Sequence, residues 1–322
     1  MRDAILDFAR QFAFDPVVQN PDDFARRGTC IVAGMGGSHL AADLILGWKP
    51  ALDLVVHSDY GLPALGGQRL KNSFVIASSY SGNTEETLDA YASARAKGMP
   101  VAVIATGGKL LERAIADNVP FVRLISTGIQ PRSAIGLSLK ALLALLGERE
   151  GLGAVSRLAT ALDPSQIEED GKTFASRLEG RIPLIYTSLR NRAVGYIWKI
   201  KFNETGKIPA FFNLIPEANH NEMTGFDAGE SAKNSPVRFY AVFLRDSEDD
   251  ARIQRRMEIM GDIYQKRGVP QEQVSFTGDN RFERMFFSVI LADWAALHTA
   301  ELNGADPDQV PLVEEFKKRM AE

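Results

Sequence analysis

Residues 78–87, SSYSGNTEET, follow the apolar run FVIA and are rich in hydroxyl side chains, but they contain no lysine or arginine. Hydroxyl and backbone N–H donors can hold a phosphate without lysine, because its oxygens need convergent donors as much as net charge. We therefore predict that this loop binds a phosphomonoester through Ser79, Ser81 and Thr84. The alternative is a helix capping box that begins at Ser81 or Gly82, which accounts for only one or two of the hydroxyls.

A second loop, AGMGGSHLAADL at residues 33–44, combines glycines with a serine at the start of a predicted helix. Glycines let the backbone approach a ligand closely, and a helix N-terminus favours an anion. We predict that Gly36, Gly37 and Ser38 contact the same phosphate. A dinucleotide-binding motif is the alternative, but His39 occupies the third glycine position, where a small residue lets helix and strand pack closely. The role of His39 itself is left open.

Residues 199–227, KIKFNETGKIPAFFNLIPEANHNEMTGFD, concentrate polar groups that a core segment would not contain. Glu204 stands at the end of an apolar-periodic helix, and His220 is flanked by amides that we expect to orient its ring. A carboxylate and an imidazole beside a bound phosphosugar can move a proton next to a carbonyl. Both residues are therefore predicted to be catalytic.

Each of these two residues has an alternative role. Glu204 could pair with Lys201 or Lys207 on a solvated face, which is the commoner fate of a glutamate. His220 and Glu222 could form half of a metal site, but a third and a fourth ligand at recognisable spacing are absent from the sequence. We therefore expect no metal.

The elements that must position these loops alternate along the chain. Between residues 28 and 150, β-rich runs such as CIVAG, FVIASS and PVAVIAT alternate with helical patterns, and a similar alternation resumes after a stretch rich in Gly, Pro and charge. Continuous apolar strands separated by helices indicate parallel sheets covered on both faces. We predict α/β architecture of the doubly wound, flavodoxin-like, three-layer kind, with an N-terminal domain at 1–150, a linker at 151–165 and a C-terminal domain at 166–322.

Composition excludes several classes of protein. The 322 residues carry a net charge of -4 with the basic residues dispersed, which disfavours nucleic acid and membrane surfaces as partners. The single cysteine, Cys30, cannot form an internal disulfide and is expected to be buried in a strand. We found no signal-peptide h-region and no run of roughly 20 apolar residues, so a cytoplasmic location is expected.

Six blocks, in order, resemble the bifunctional phosphoglucose/phosphomannose isomerase family of the sugar isomerase (SIS) superfamily. These blocks are GMGGS, SSYSGNTEETL, ATGGKL, PRSAIG, NETGKIPAFFNLIPEANHNE and GADPDQVPLVEEFKKRM. The resemblance implies two SIS domains, a homodimer with active sites at its interface, and a phosphosugar substrate. It also implies an enzyme of carbohydrate metabolism that needs no cofactor, and it leads us to expect interconversion of glucose 6-phosphate and fructose 6-phosphate, and also of mannose 6-phosphate.

The resemblance also implies a role for each residue at the matching positions. Glu204 would shuttle a proton between C2 and C1, and His220, contributed by the neighbouring subunit, would assist opening of the sugar ring. Arg132 would face the enediolate, and Lys317 would contact the substrate near the ring oxygen. The residues that would bind the sugar phosphate are Ser38, Ser79, Ser81 and Thr84.

The sequence departs from the family pattern in a few places. His39 replaces a small or apolar residue, Thr205 follows Glu204 where asparagine is usual, and Asp308 replaces a frequent threonine. If Asp308 points towards an anionic substrate, it weakens the expectation for mannose 6-phosphate. The alternatives that remain are a non-catalytic sugar-phosphate-binding module and an isomerase of another phosphosugar.

Overall fold

The computed structural model of the chain describes residues 1–21, 24, 26–227 and 238–320. The chain divides into two compact units. The N-terminal unit comprises Leu6–Leu162, and the C-terminal unit comprises Met1–Ile5 together with Asp163–Glu322. Each unit is an α/β structure built around its own sheet.

Within the residues that the structure describes, the sheet of the N-terminal unit has six strands in the order β1-β6-β5-β4-β2-β3. All neighbouring pairs are parallel except β1 with β6. From β2 to β6 this is the flavodoxin-like arrangement, in which the first strand of the series lies between the second and the third. The strands are Val18–Gln19 (β1), Thr29–Ala33 (β2), Leu54–His57 (β3), Ser73–Ser78 (β4), Val101–Ala105 (β5) and Phe121–Arg123 (β6).

Burial explains why the apolar runs form this sheet. Every residue of β2, β4 and β5 is buried, Cys30 of β2 among them, so these strands carry apolar side chains on both faces. The helices of this part of the chain are Arg2–Leu6 (α1), Leu40–Trp48 (α2), Gly67–Lys71 (α3), Glu85–Ala96 (α4), Gly108–Ala116 (α5), Ile135–Leu146 (α6), Arg149–Ser156 (α7) and Leu158–Ala161 (α8).

In the described part of the C-terminal unit, four parallel strands lie in the order β10-β9-β7-β8. They are Ile182–Ser188 (β7), Phe211–Ile215 (β8), Phe239–Arg245 (β9) and Gln271–Ser275 (β10). Strand β8 was not predicted, because its run FFNLI lies inside the polar segment that drew attention to Glu204 and His220. Strand β9 covers most of the β-rich run VRFYAVFL, whose first residue, Val237, lies outside the described residues.

The helices of the C-terminal unit include its longest core element. They are Glu168–Arg177 (α9), Arg192–Glu204 (α10), Ala251–Lys266 (α11), Arg281–Leu302 (α12) and Pro311–Met320 (α13). We found no apolar run of membrane-spanning length in the sequence, but α12 is long and apolar enough to cross a membrane. However, 78% of its most apolar window is buried inside the structure. It packs on α9 and α10 as a core helix.

The segment proposed as a linker has regular structure. Residues 149–161 form α7 and α8, and both helices belong to the N-terminal unit. The division between the units falls after Leu162, and residues 1–5 belong to the C-terminal unit.

Candidate active site

The two loops predicted to bind phosphate follow adjacent strands. In the N-terminal sheet β2 pairs with β4, while the chain runs from β2 outward to β3 on one side and from β4 to β5 on the other. The connections after β2 and β4 therefore diverge. Ligands of open α/β sheets bind in the crevice that such a divergence leaves at the carboxyl ends of the strands.

Hydrogen bonds hold the two loops together. Ser38 ends a short 3₁₀ helix, Gly36–Ser38, and its hydroxyl accepts a hydrogen bond from the backbone N–H of Tyr80 at 3.1 Å. The Ser78 hydroxyl donates to the carbonyl of Ser38 at 2.8 Å. Because both bonds join the loop after β2 to the loop after β4, the structure brings Ser38 beside the hydroxyl-rich segment.

The hydroxyls of that segment bond to one another and to its backbone. Ser79 Oγ and Thr84 Oγ1 are 2.8 Å apart, and the N–H of Gly82 donates to Ser79 Oγ at 3.1 Å. Ser81, at the exposed crown, accepts from the N–H of Asn83 at 3.3 Å. The segment is therefore preorganised, with Ser79 buried and Ser81 open to solvent.

The capping-box alternative for this segment is wrong. Thr84 is the N-cap residue of α4, but its side chain makes no capping hydrogen bond, and Ser81 bonds two residues ahead instead of three. The positive end of the α4 dipole therefore lies at the loop, and the Thr84 side chain does not cap this end of the helix. This arrangement favours an anion.

Two glycines are required by close approaches of the backbone. A Cβ on Gly82, which has φ of +72°, would lie 1.8 Å from the carbonyl oxygen of Gly107. A Cβ on Gly37 would lie 2.8 Å from the carbonyl of Pro131 and 3.0 Å from the nitrogen of Arg132. Gly37 therefore lets the 3₁₀ helix Pro131–Ser133 pack against the loop after β2.

Arg132 lies at this junction, in the middle of the short 3₁₀ helix that leads towards α6. It is among the largest fully buried residues of the chain, with only 2% of its surface exposed. Ser38, Ser79 and Thr84 thus lie at one crevice of the N-terminal unit, and the backbone of Arg132 lies against Gly37 beside it. The two loop segments predicted to bind phosphate, residues 36–38 and 79–84, are named the phosphate cradle below.

Glu204 is the last residue of α10 in the C-terminal unit and is half-buried. The ammonium of Lys207 donates to the backbone carbonyl of Glu204 at 2.6 Å and also to the carbonyl of Gln309. Lys201, one turn earlier, forms a buried ion pair with Asp293 of α12 at 2.6 Å. The end of α10 is therefore anchored by charged side chains on both sides of Glu204.

His220 is exposed, directly after the 3₁₀ helix Glu217–Asn219. The flanking amides do not orient its ring as predicted. Asn219 donates to the sulfur of Met260 at 3.2 Å, and Asn221 donates to the carboxylate of Glu217 at 2.9 Å. Among the described residues, the imidazole makes no hydrogen bond or ion pair.

The segment that carries His220 is held by a carboxylate. Glu222, in the 3₁₀ helix Glu222–Phe226, accepts from the hydroxyl of Tyr186 and from the amide of Asn213 at 2.5 Å. Burial raises the pKa of the Tyr186 hydroxyl, so Tyr186 remains the proton donor. Glu222 is committed to the sheet, and no group of three or more His, Cys, Asp or Glu side chains in the described part of the chain is arranged to hold a metal.

Lys317 and Asp308 lie near the end of the chain. Lys317 is exposed on α13 and pairs with Glu314 at 2.9 Å. Asp308 pairs with the N-terminal ammonium of Met1 at 3.0 Å. The charge of Asp308 is therefore partly neutralised by a group that the sequence did not suggest.

The C-terminal sheet has its own point of divergence, between β7 and β9. Charged and polar side chains fill it. The Ser188 hydroxyl donates to Asp249 at 2.6 Å, Asn191 donates to Asp249 at 3.2 Å, and Arg281 pairs with buried Asp246 at 2.5 Å. Carboxylates of the chain thus lie at the divergence of β7 and β9, whereas hydroxyl donors lie at the divergence of β2 and β4 in the N-terminal sheet.

His39 of the N-terminal unit belongs to a polar pair. Its Nδ1 lies 2.6 Å from the carboxylate of Asp43, one turn further along α2, and both side chains are largely shielded from solvent. The other two histidines have structural contacts: His57 Nε2 lies 3.2 Å from the carbonyl of Gly61, and His298 pairs with Glu301 at 2.7 Å.

The fold is shared with solved sugar-phosphate proteins. A glucosamine-6-phosphate deaminase from Thermotoga maritima superimposes with a TM-score of 0.64 at 12% identity, covering 96% of this chain and 95% of that chain. A glucose-6-phosphate isomerase like protein from Thermus thermophilus gives a TM-score of 0.59 at 19% identity, covering 96% and 94%. The fold defines the class: the chain has the α/β fold of these proteins, and a family model that matches its C-terminal unit identifies this fold as the sugar isomerase (SIS) domain.

Sequence comparison narrows the class. Residues 167–320 match the family described as bacterial phospho-glucose isomerase C-terminal SIS domain. Bifunctional phosphoglucose/phosphomannose isomerases from Caldicellulosiruptor bescii and Aquifex aeolicus are 35% and 31% identical, over 91% and 97% of this chain and 89% and 96% of theirs. The chain belongs to the bifunctional phosphoglucose/phosphomannose isomerase family. A D-glucosamine-6-phosphate 4-epimerase from Sulfolobus acidocaldarius is 32% identical over 55% of this chain and 57% of its own length.

Sequence reasoning missed the residues that support the candidate groups. Asn213 is the one polar side chain of β8, Tyr186 brings a hydroxyl to a buried position of β7, and Lys201 interrupts the apolar face of α10; each of these exceptions was a signal. A buried polar group needs a partner, so the exceptions could have been flagged. Their partners Glu222 and Asp293 could not have been chosen, since several acidic residues were available.

Proposed function

We propose that this protein is an aldose–ketose isomerase that interconverts glucose 6-phosphate and fructose 6-phosphate, and also mannose 6-phosphate and fructose 6-phosphate. The observation that carries the proposal is the convergence of Ser38, Ser79 and Thr84 at the divergence of β2 and β4, in a chain whose near full-length relatives bear that name. The proposed reaction needs neither a metal nor a cofactor, since the substrate's own carbonyl delocalises the electrons.

In the proposed reaction the phosphate cradle binds the 6-phosphate through neutral donors: Ser38, Ser79, Ser81, Thr84 and the backbone of Gly36 and Gly37. Because these donors carry no titratable charge, the protein's contribution to phosphate binding does not change with pH. Binding energy from this remote, non-reacting group can then orient the sugar for proton transfer.

Glu204 is the proposed base. It removes the proton from C2 of the open-chain aldose to give a cis-enediol, and the proton is returned to C1, while the O2 proton moves to O1. A proton α to a carbonyl is only weakly acidic, so a cation must stabilise the charge that develops on the oxygens, and Arg132 is proposed for this role. His220 assists ring opening and Lys317 contacts the substrate near the ring oxygen.

The proposal extends to assembly and location. We propose a cytoplasmic homodimer in which His220 acts in the active site of the neighbouring subunit. The support for this is the exposed ring of His220, which has no partner among the described residues, on a segment that Glu222 holds firmly.

The test is isomerisation in deuterated water. Purified protein, treated with a chelator, is incubated with fructose 6-phosphate, and glucose 6-phosphate, mannose 6-phosphate and deuterium at C2 are followed by NMR. Both aldoses, each with deuterium at C2, are expected. Glucose 6-phosphate alone would restrict the proposal to one aldose, and binding of fructose 6-phosphate without product or exchange would favour a non-catalytic sugar-phosphate-binding module.

An isomerase of another phosphosugar is the second candidate, favoured by the partial match to a glucosamine-6-phosphate 4-epimerase. The phosphate cradle recognises a group that all these substrates share. Adding glucosamine 6-phosphate in a parallel NMR sample separates the two: turnover of the amino sugar at a higher kcat/KM than fructose 6-phosphate would replace the proposed substrate.

A further inference from the structure

Helix α13 carries an apolar stripe that its own chain leaves open to solvent. Leu312, Phe316 and Met320 are 80%, 63% and 58% exposed, and Val313 beside them is 45% exposed. Residues four apart lie on one side of a helix, so these side chains form a continuous stripe about 100° wide. No residue of α13 is buried. An apolar surface of this shape is typical of an interaction site.

Charge is distributed unevenly along the same helix. Glu314 and Glu315 stand before Phe316, whereas Lys317, Lys318 and Arg319 stand after it. Glu315 and Arg319 border the stripe on the same side and form an ion pair within one copy. A second α13 laid antiparallel along the stripe would place its Arg319 beside Glu315 of the first, and its Leu312 beside Met320. The charges that border the stripe therefore favour the antiparallel orientation.

We propose that α13 is a self-association surface, on which the α13 helices of two copies of this chain pair antiparallel about a two-fold axis near Phe316. Such a contact is isologous, because the same patch is used on both copies. Phe316 lies at the centre of the stripe and packs against its own counterpart, and the ends of the stripe are exchanged between the copies. The inference deepens the proposed homodimer and rests on it, but it does not depend on the isomerase activity.

The length of the helix limits what the pair contributes. A helix of 10 residues is about 15 Å long, so two of them bury less area than a stable dimer interface of about 800 Å² per partner needs. The α13 pair is thus one element of a larger interface. Its anchoring to the rest of the C-terminal unit, through the bond from Lys207 to the carbonyl of Gln309, would hold the two copies in register.

Single cysteines test the orientation. Leu312→Cys and Met320→Cys proteins are oxidised separately and after mixing and subunit exchange, and disulfide-linked dimers are counted on a non-reducing gel. Native Cys30 is not expected to form cross-links, because it is buried and burial raises the pKa of its thiol. Antiparallel pairing predicts little cross-linking of either variant alone and a strong increase, at least tenfold, in the mixture. Glu314→Cys mixed with Met320→Cys is the matched control and should not cross-link, because Glu314 lies on the charged face.

Sedimentation equilibrium gives a second measure that needs no cross-link. Phe316→Glu is expected to raise the dimer dissociation constant at least tenfold, whereas Lys318→Glu on the opposite face should change it less than threefold. Strong cross-linking of Leu312→Cys with itself would mean a parallel pair and overturn the inference. A wild-type dimer whose mixed variants do not cross-link, and whose dissociation constant is unchanged by Phe316→Glu, would overturn it as well.

Two measurements on the unmodified protein distinguish a failure of the α13 pairing from a failure of the proposed isomerase function. A wild-type chain that is monomeric at all concentrations would overturn the proposed homodimer together with this inference. Isomerase assays on the same wild-type sample report the proposed function separately, because they measure turnover of fructose 6-phosphate and not the pairing of α13.

Discussion

The phosphate cradle contains hydroxyls and glycines. Ser79 and Thr84 share a hydrogen bond of 2.8 Å, so each holds the other's oxygen in place before a ligand arrives. Neutral donors cost little to keep partly buried, whereas an unpaired lysine would be expensive. The charge that catalysis needs is supplied elsewhere, by the candidates Arg132 and Glu204.

Replacing Thr84 by valine tests the cradle. The variant keeps the shape of the side chain but loses the hydroxyl, and a hydrogen bond to a charged group contributes about 1.5–3 kcal/mol. We expect the KM for fructose 6-phosphate to rise at least about tenfold, with a smaller change in kcat, since 1.4 kcal/mol is a factor of ten. Thr173→Val, at an exposed position of α9, is the control. An unchanged KM in both variants would remove Thr84 from the phosphate site.

Glu204→Gln tests the proposed base. Glutamine occupies the same volume but cannot accept the C2 proton, so kcat should fall by at least about 100-fold, the lower range for a general base. The unfolding midpoint should change little. The same substitution at Glu179, which is exposed in the same unit, should leave turnover intact. Wild-type turnover in Glu204→Gln would contradict the assignment.

At the scale of elements, the candidates His220 and Glu204 lie on segments that are fixed by residues distant in sequence. The His220 segment is joined to β7 through Tyr186 and to β8 through Asn213, both of which donate to Glu222. The end of α10 is joined to α12 by Lys201 and Asp293. Removing one partner of a buried pair typically costs about 3–5 kcal/mol, so such contacts define positions well.

A double-mutant cycle tests the role of Glu222. In Glu222→Gln the side-chain N–H faces one of the two donors, Tyr186 or Asn213, so one hydrogen bond is lost and the His220 segment should loosen. We expect kcat to fall by about 5- to 20-fold, which corresponds to the loss of one buried hydrogen bond. In a His220→Ala background the same change should have almost no further effect on kcat, because Glu222 acts through His220. A purely structural role would give equal losses in both backgrounds.

The polar network between β7 and β9 makes stability depend on pH. Burial, followed by the nearby charge of Asp246, raises the pKa of Asp249. The folded state then binds this proton more tightly than the unfolded state does. The contribution of Asp249 to stability is therefore most favourable below its ordinary pKa of about 3.9, and is lost as pH rises through the raised value.

Urea unfolding of Asp249→Asn at two pH values tests this sign. The free energy of unfolding of the wild type, minus that of the variant, should be smaller at pH 7 than at pH 4, because only the wild type carries the buried charge. Asp262→Asn on the exposed side of α11 should show no such trend. A difference for Asp249→Asn that is equal at both pH values would be inconsistent with a raised pKa.

At the scale of the whole molecule, the chain repeats one architecture and uses the two copies differently. Both sheets place the first strand of their series between the second and the third. The divergence in the N-terminal sheet is lined by hydroxyl donors, while that in the C-terminal sheet is occupied by Asp246, Asp249 and Arg281. We expect one phosphosugar site per chain as a result.

Mixing inactive protomers tests whether the proposed site is shared between subunits. Glu204→Gln and His220→Ala chains are exchanged at equal concentration. If His220 acts across the interface, half of the dimers will be mixed and each will have one intact site, so activity should recover to about a quarter of wild type. Glu204→Gln exchanged with itself should recover none. Absence of recovery after verified exchange would place both residues in one subunit's site.

Much of this arrangement follows from the sequence alone. Buried runs such as those of β2 and β4 can only be central strands of a parallel sheet, and loops after such strands must lie at the same edge. The hydroxyls of residues 79–84 and the glycines of residues 36–37 then predict a phosphomonoester as the ligand. Strand β8 escaped this reasoning because its short run lies inside a polar segment and only its last residue is buried.

The tertiary structure alone decided which polar groups are partners. The sequence suggested Glu222 only as half of a metal site that lacked further ligands, and folding brought Tyr186 and Asn213 to this carboxylate. Lys201 had several possible carboxylate partners before α12 presented Asp293. Hydrophobic periodicity specifies which face of an element is buried, because burial depends on a residue's own chemistry. The identity of a polar partner depends on distances between elements far apart in the chain, and only the packed structure sets those distances.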